Sequence, residues 1–186
     1  MNNKTFLNEK TYEEKLKDAE RIKNEPGLRY CPEKYKDYDI CLKSVKSNGY
    51  NLVYVPERYR DSKLCMEAIK TMLSDVSIYG YYSYDNIVNI FLLIPEHVRT
   101  SEFVLEIIES SEALGYLIEF VPMKNITKEL CLKAIQYDAS PSSIPKEFLN
   151  YEICKKGFES GNDMEDIECY ISEDILNQLK EDGFIK

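Results

Sequence analysis

LVYVPERYRDSKLCMEAIK, residues 52–70, holds a turn, a helix start and an apolar stripe in one short run. Asp61 has a side-chain oxygen able to accept a hydrogen bond from an exposed N–H, as the start of a helix requires. After it, Leu64, Cys65, Ala68 and Ile69 fall at a spacing near 3.6 and form one apolar stripe. Ahead of it, Pro56 suits the first position of a short helical turn, where its missing N–H would be unpaired in any case. The stretch therefore predicts a short turn, a capped break and a helix of about three turns.

Reading outward, the same offsets recur from the prolines at 32, 56, 95, 122 and 145. The residue before each anchor is Cys31, Val55, Ile94, Val121 and Ile144, always apolar. Five residues after it stand Asp37, Asp61, Thr100, Thr127 and Asn150, all of the capping type. Offset seven is acidic in four of five cases (Asp39, Glu102, Glu129, Glu152), which suits the positive end of a helix dipole. Offsets eight and thirteen are apolar throughout, from Ile40 and Val45 in the first unit to Ile153 and Phe158 in the last. Offset twelve is small in four of five (Ser44, Ala68, Ala134, Gly157), as a close helix contact needs.

Offset nine decides what the cysteines are for. It holds Cys41, Cys65, Val104, Cys131 and Cys154, and cysteine is only 6 of 186 residues, so four hits at one register are not accidental. Val104 shows that the place takes a small hydrophobe, so these thiols are expected in the core. The cysteines have no two-residue-spaced pair, and His97 is the single histidine, which argues against a zinc site.

A helix pair of this kind cannot bury its stripe alone, so neighbouring units must stack. The expected fold is all-α: tandem helix-turn-helix repeats stacked as an α-solenoid or superhelical array. One domain is expected over 1–186, with an N-terminal capping helix in 1–27 carrying the capping-box pair Thr11 and Glu14. Five repeats occupy 28–160, and a degenerate C-terminal cap occupies 161–186, where a final helix is expected from Ser172 to Glu181. Anchor spacings of 24, 39, 27 and 23 place an insertion at about 71–86, expected to project as a loop or extra helices.

The segments at 28–49, 52–70 and 120–135 resemble a widespread family of short helical repeats of unknown function. That family is typified by a valine-proline-glutamate turn, a leucine-cysteine pair, an alanine-valine pair and an asparagine-glycine terminator. The resemblance covers about 28–160. It implies an all-helical repeat architecture and carries over no catalytic residue. Only Asn48 and Gly49 reproduce the terminator, and the unit anchored at Pro95 has valine in place of cysteine.

Hydrophobic residues make up 44% and charged residues 31%, a composition that folds rather than stays disordered. The stretch 87–95 is too short and too polar to span a membrane, and residues 1–10 lack the apolar run of a signal peptide, so a cytoplasmic location is expected. The net charge of −9 is uneven, with 15 basic against 12 acidic residues over 1–70 and an acidic excess thereafter. Direct nucleic-acid binding is not expected. The one basic concentration, Lys34, Lys36, Lys43, Lys46, Arg58 and Arg60 interleaved with Tyr35, Tyr38, Tyr50 and Tyr59, is largely cancelled by Glu33, Asp37, Asp39, Glu57 and Asp61.

No enzyme is expected. No nucleophile is placed by a recognisable motif beside His97, no glycine-rich phosphate loop is present, and carboxylate pairs such as Glu106 and Glu109 suit a solvated face. No cofactor or metal is implied. The expected function is a protein-protein interaction module of unknown partner, with Tyr79, Tyr81, Tyr82 and Tyr84 of the insertion as aromatic anchors. The alternative is an acidic inhibitor or nucleic-acid mimic, for example a phage-encoded anti-defence protein, that blocks a nucleic-acid enzyme with carboxylates between Glu152 and Asp182.

Overall fold

The computed structural model of the chain describes residues 28–79, 84–162, 164 and 167–185. Over these residues the protein is all-helical, without a β-strand. Two compact units divide between residues 80 and 81, inside the stretch read as the insertion. The first contains α1 (Tyr38–Ser47) and α2 (Ser62–Tyr79). The second contains α3 (Tyr84–Leu92), α4 (Ser101–Ser111), α5 (Lys128–Gln136), α6 (Tyr151–Glu159) and α7 (Glu173–Glu181). The predicted N-terminal capping helix lies outside the described residues.

All five capping residues make the predicted bond. Asp37 and Asp61 accept from the amides of Ile40 and Leu64 at 2.9 and 2.8 Å. Thr100, Thr127 and Asn150 accept from Phe103, Leu130 and Ile153 at 3.2, 3.2 and 3.1 Å. Each satisfies an amide that the first turn of a helix leaves without a partner. Asp61→Ala should therefore lower stability by about 1 kcal/mol. Thermal unfolding followed by circular dichroism reads this as a midpoint a few degrees lower; an unmoved midpoint would contradict the role given to Asp61.

The anchor prolines correct one expectation. Pro32, Pro56 and Pro122 precede the 3-10 turns Glu33–Tyr35, Glu57–Tyr59 and Met123–Asn125 as caps, with ψ of 140°, 139° and 133°, instead of occupying the first helical position. A proline ring holds φ near −65°, which suits extended backbone as well as helix. What the turn takes from each proline is its carbonyl. The amides of Tyr35, Tyr59, Val98, Asn125 and Phe148 donate to the anchors three residues earlier at 2.7 to 2.9 Å.

A second 3-10 element, unforeseen in the sequence, precedes the anchors. It spans Leu28–Tyr30, Gly49–Tyr54, Gly115–Phe120 and Pro141–Ser143. The residue four before each anchor is Leu28, Leu52, Phe91, Ile118 or Pro141, and all five are buried. These elements pack on one another and on the α-helices. In the first unit Leu28–Tyr30 meets Gly49–Tyr54, which meets α2; in the second Gly115–Phe120 meets both Pro141–Ser143 and α5. The α-helices pack α1 on α2, and α4 on α5 on α6 on α7.

Two glycines permit this closeness. A Cβ on Gly49 would lie 2.2 Å from the Ala68 carbonyl oxygen, and one on Gly115 would lie 2.1 Å from that of Ala134. Both glycines stand seven residues before an anchor, and both carbonyls stand twelve after it. Beyond α6, Ser172 flanks α7 without a side-chain cap bond, and α7 ends at Glu181, followed by Asp182 and then Gly183 in the left-handed region with φ 79°. There the amide of Phe184 donates to the Leu179 carbonyl at 2.9 Å, and the Phe184 ring stacks on Phe158 at 5.7 Å. The insertion is in part a continuation of α2, which runs 18 residues through Tyr79.

Candidate functional site

The register thiols belong to the interior. Cys41, Cys65, Cys131 and Cys154 are each 0% exposed, as is Val104 at the same offset, and each core is completed by apolar neighbours on the same stripe. Burial pushes the thiols of Cys41, Cys65 and Cys131 up to about 12 and that of Cys154 up to about 11. A thiol so shifted is a poor nucleophile and a poor metal ligand near neutral pH, because both roles need the thiolate. Cys31 is half-buried and Cys169 exposed. Among the described residues no group of three or more His, Cys, Asp or Glu side chains could hold a metal ion.

Of the four tyrosines proposed as anchors, Tyr79 ends α2 and Tyr84 opens α3, while Tyr81 and Tyr82 lie outside the described residues. The side chains of all four fall outside them as well.

The basic and aromatic residues of the first unit do come together. Arg29 lies over the Tyr30 ring at 5.5 Å, Lys34 over Tyr35 at 4.8 Å and Arg58 over Tyr59 at 4.7 Å. Tyr38 meets Tyr59 edge-on at 6.3 Å and donates through its hydroxyl to Asp61 at 3.1 Å. Several of the cations are already engaged. Arg58 pairs with Glu33 at 3.0 Å, Lys46 with Glu67 at 3.7 Å, and the Lys36 ammonium donates to the Tyr54 carbonyl at 2.8 Å.

These contacts have counterparts at matching offsets in the second unit. Glu96 pairs with Lys124 at 3.4 Å as Glu33 does with Arg58, and Arg99 donates to the Phe120 carbonyl at 2.7 Å as Lys36 does to that of Tyr54. Glu109 pairs with Lys133 at 3.1 Å at the offsets where Lys46 meets Glu67, with the two signs exchanged. The Glu109 hydrogen bond raises the pKa of Lys133.

The carboxylates between Glu152 and Asp182 are likewise partly occupied within the chain. Glu152 pairs with Lys128 at 2.5 Å, Glu159 with Lys155 at 3.9 Å, and Asp182 accepts from the Tyr151 hydroxyl.

One surface feature was not anticipated. An open groove of about 650 Å³ runs between α5 and α6, lined by Leu132 and Tyr151 together with Glu129, Lys133, Gln136, Glu152, Lys155, Lys156 and Glu159. Its lining thus holds three acids, three lysines, one glutamine and the half-buried Leu132 and Tyr151. Nothing in the spacing of the sequence marks it, because it exists only once the two helices lie side by side.

Over the described residues the chain is all helix, with the four register thiols buried in its core. Two overlapping stretches, residues 22–60 and 37–87, match the model of a domain of unknown function (DUF4116). No curated protein and no solved structure matches the chain. No helix among the described residues is long and apolar enough to cross a membrane.

Proposed function

We propose that the chain is a non-enzymatic protein-protein interaction module whose helical repeats stack, within each unit, as an α-solenoid. The observation that carries this reading is the recurrence of neighbour-to-neighbour contacts at fixed register, Glu33 with Arg58 beside Glu96 with Lys124, and Lys36 with Tyr54 beside Arg99 with Phe120. Side chains so spent hold one turn-helix unit against the next and leave outer helix faces for a partner. The partner is a protein of unknown identity, met in the cytoplasm, where thiols such as Cys169 stay reduced. The tyrosines at 79, 81, 82 and 84 remain proposed anchors, since tyrosine gives large amphipathic contact area at low entropic cost.

A second reading is favoured by charge. Residues 81–186 carry 20 acidic against 9 basic side chains, while 1–80 carry 13 against 15. A surface of that sign could occupy the basic channel of a nucleic-acid enzyme. Affinity capture with the full chain as bait tests both readings. The module reading expects a protein partner whose recovery falls about tenfold with Tyr81→Ala and Tyr82→Ala together. Unchanged recovery removes the tyrosine patch, and a complex that dissolves steeply with salt selects the acidic inhibitor.

A further inference from the structure

The junction between α5 and α6 departs from the register that the α1/α2 and α4/α5 junctions keep. At the α1/α2 and α4/α5 junctions, the residue fourteen after one anchor forms an ion pair with the residue eleven after the next, Lys46 with Glu67 and Glu109 with Lys133. At α5/α6 the same two places hold Gln136 and Lys156, so the opposing charge is missing, and both side chains line the open groove. The other end of the junction departs too. Where Glu33 and Glu96 reach Arg58 and Lys124, this unit has Met123, 58% exposed, with Glu147 at the place of the basic residue.

The remaining groove lysines are matched inside the chain. Lys155 pairs with Glu159, and Lys133 pairs with Glu109 and also feels Glu129. Among the described residues no carboxylate lies within ion-pair distance of Lys156. Leu132 and Tyr151, both half-buried, supply apolar surface in the same groove.

We propose that this groove is a docking site for an acidic, apolar-flanked segment of a partner protein, whose carboxylate takes on Lys156 the place that Glu109 takes on Lys133. The partner's neighbouring leucine or aromatic side chain rests on Leu132 and Tyr151. A helix or extended strand of polypeptide fits a trough between two packed helices, and one buried apolar anchor beside one charge gives it register. This site deepens the interaction-module reading and rests on it.

The test pans a random twelve-residue peptide library on the full chain and measures binding of the enriched peptides by fluorescence anisotropy. Enriched peptides should carry Asp or Glu beside Leu or an aromatic residue. Lys156→Glu should weaken them about tenfold or more by placing like charges together. Gln136→Glu should weaken them about threefold, because an in-chain carboxylate then engages Lys156. Far-UV circular dichroism of both variants confirms that they fold, and Gln136→Glu restores a pairing the fold uses elsewhere, so it serves if Lys156→Glu does not. Peptides without an acid, binding indifferent to both substitutions, or no enrichment at all would overturn the site. A host partner captured equally by Lys156→Glu removes the groove and leaves the module; no partner at all removes both.

Discussion

Gly115→Ala is expected to lower the stability of the chain by about 3 kcal/mol. The added Cβ would sit 2.1 Å from the Ala134 carbonyl oxygen, 2.4 Å from that of Tyr137 and 2.9 Å from the Tyr137 carbonyl carbon. All three are backbone atoms, so no flexible side chain can swing aside, and the close approach also carries the bond from the Gly115 amide to Tyr137 at 2.8 Å. Relief requires moving the 3-10 helix Gly115–Phe120 away from α5, which loosens Leu117 and Ile118 in the core. Gly161→Ala is the comparison. That glycine has φ 75° but open space around it, so its substitution costs only the backbone strain, about 1 kcal/mol. Urea unfolding of the two variants separates the effects, and a Gly115 variant no less stable than the Gly161 variant would refute the contact.

Alkali should unfold the protein through its thiols. A folded-state pKa near 12, against an ordinary value of 9.0, means that between those limits the folded chain holds protons that the unfolded chain has released. This contribution is fully present below pH 9 and is lost as pH rises toward 12, at about 1.4 kcal/mol per pH unit for each thiol. With Cys154, pushed up to about 11, four groups act together between about pH 9 and 11 and remove about 6 kcal/mol per pH unit at most, comparable with the whole stability of a typical domain. Burial and Asp61 push the Tyr38 hydroxyl to about 12 as well, which acts in the same direction. Unfolding followed by circular dichroism should therefore complete between about pH 10 and 11. Replacing Cys41, Cys65, Cys131 and Cys154 by valine, the residue already present at 104, should move that transition upward. An unmoved transition would mean that the thiols do not govern it.

The sequence makes the α-helices and their caps legible because both depend on local chemistry: an oxygen at offset five, then apolar residues on one helical face. The second 3-10 layer is harder to see. Its only continuous mark is one buried residue four before each anchor, and the types there range from Leu52 through Phe91 to Pro141. Gly115 escaped recognition as a counterpart of Gly49 for a similar reason. Leu114 precedes it, in the left-handed region with φ 67°, where Asn48 precedes Gly49, so the asparagine-glycine signature is gone while the close approach remains. The prolines were legible as punctuation but not in their exact place, since a fixed φ fits a cap and a first helical position alike. The groove beside Lys156 could not be read at all, because its meaning lies in a charge that Gln136 lacks, and that lack shows only against Glu109 and Lys46 in paired helices.

The exchanged signs of two ion pairs bear on how freely segments of this protein can be traded. Lys46 faces Glu67, whereas Glu109 faces Lys133. A chimera that seats α5 behind α1 sets two ammonium groups together, and one that seats α2 behind α4 sets two carboxylates together. Equivalent places on α1 and α4 thus carry opposite charge, which disfavours each of these two exchanges and gives α1 and α4 a preference for their own successors.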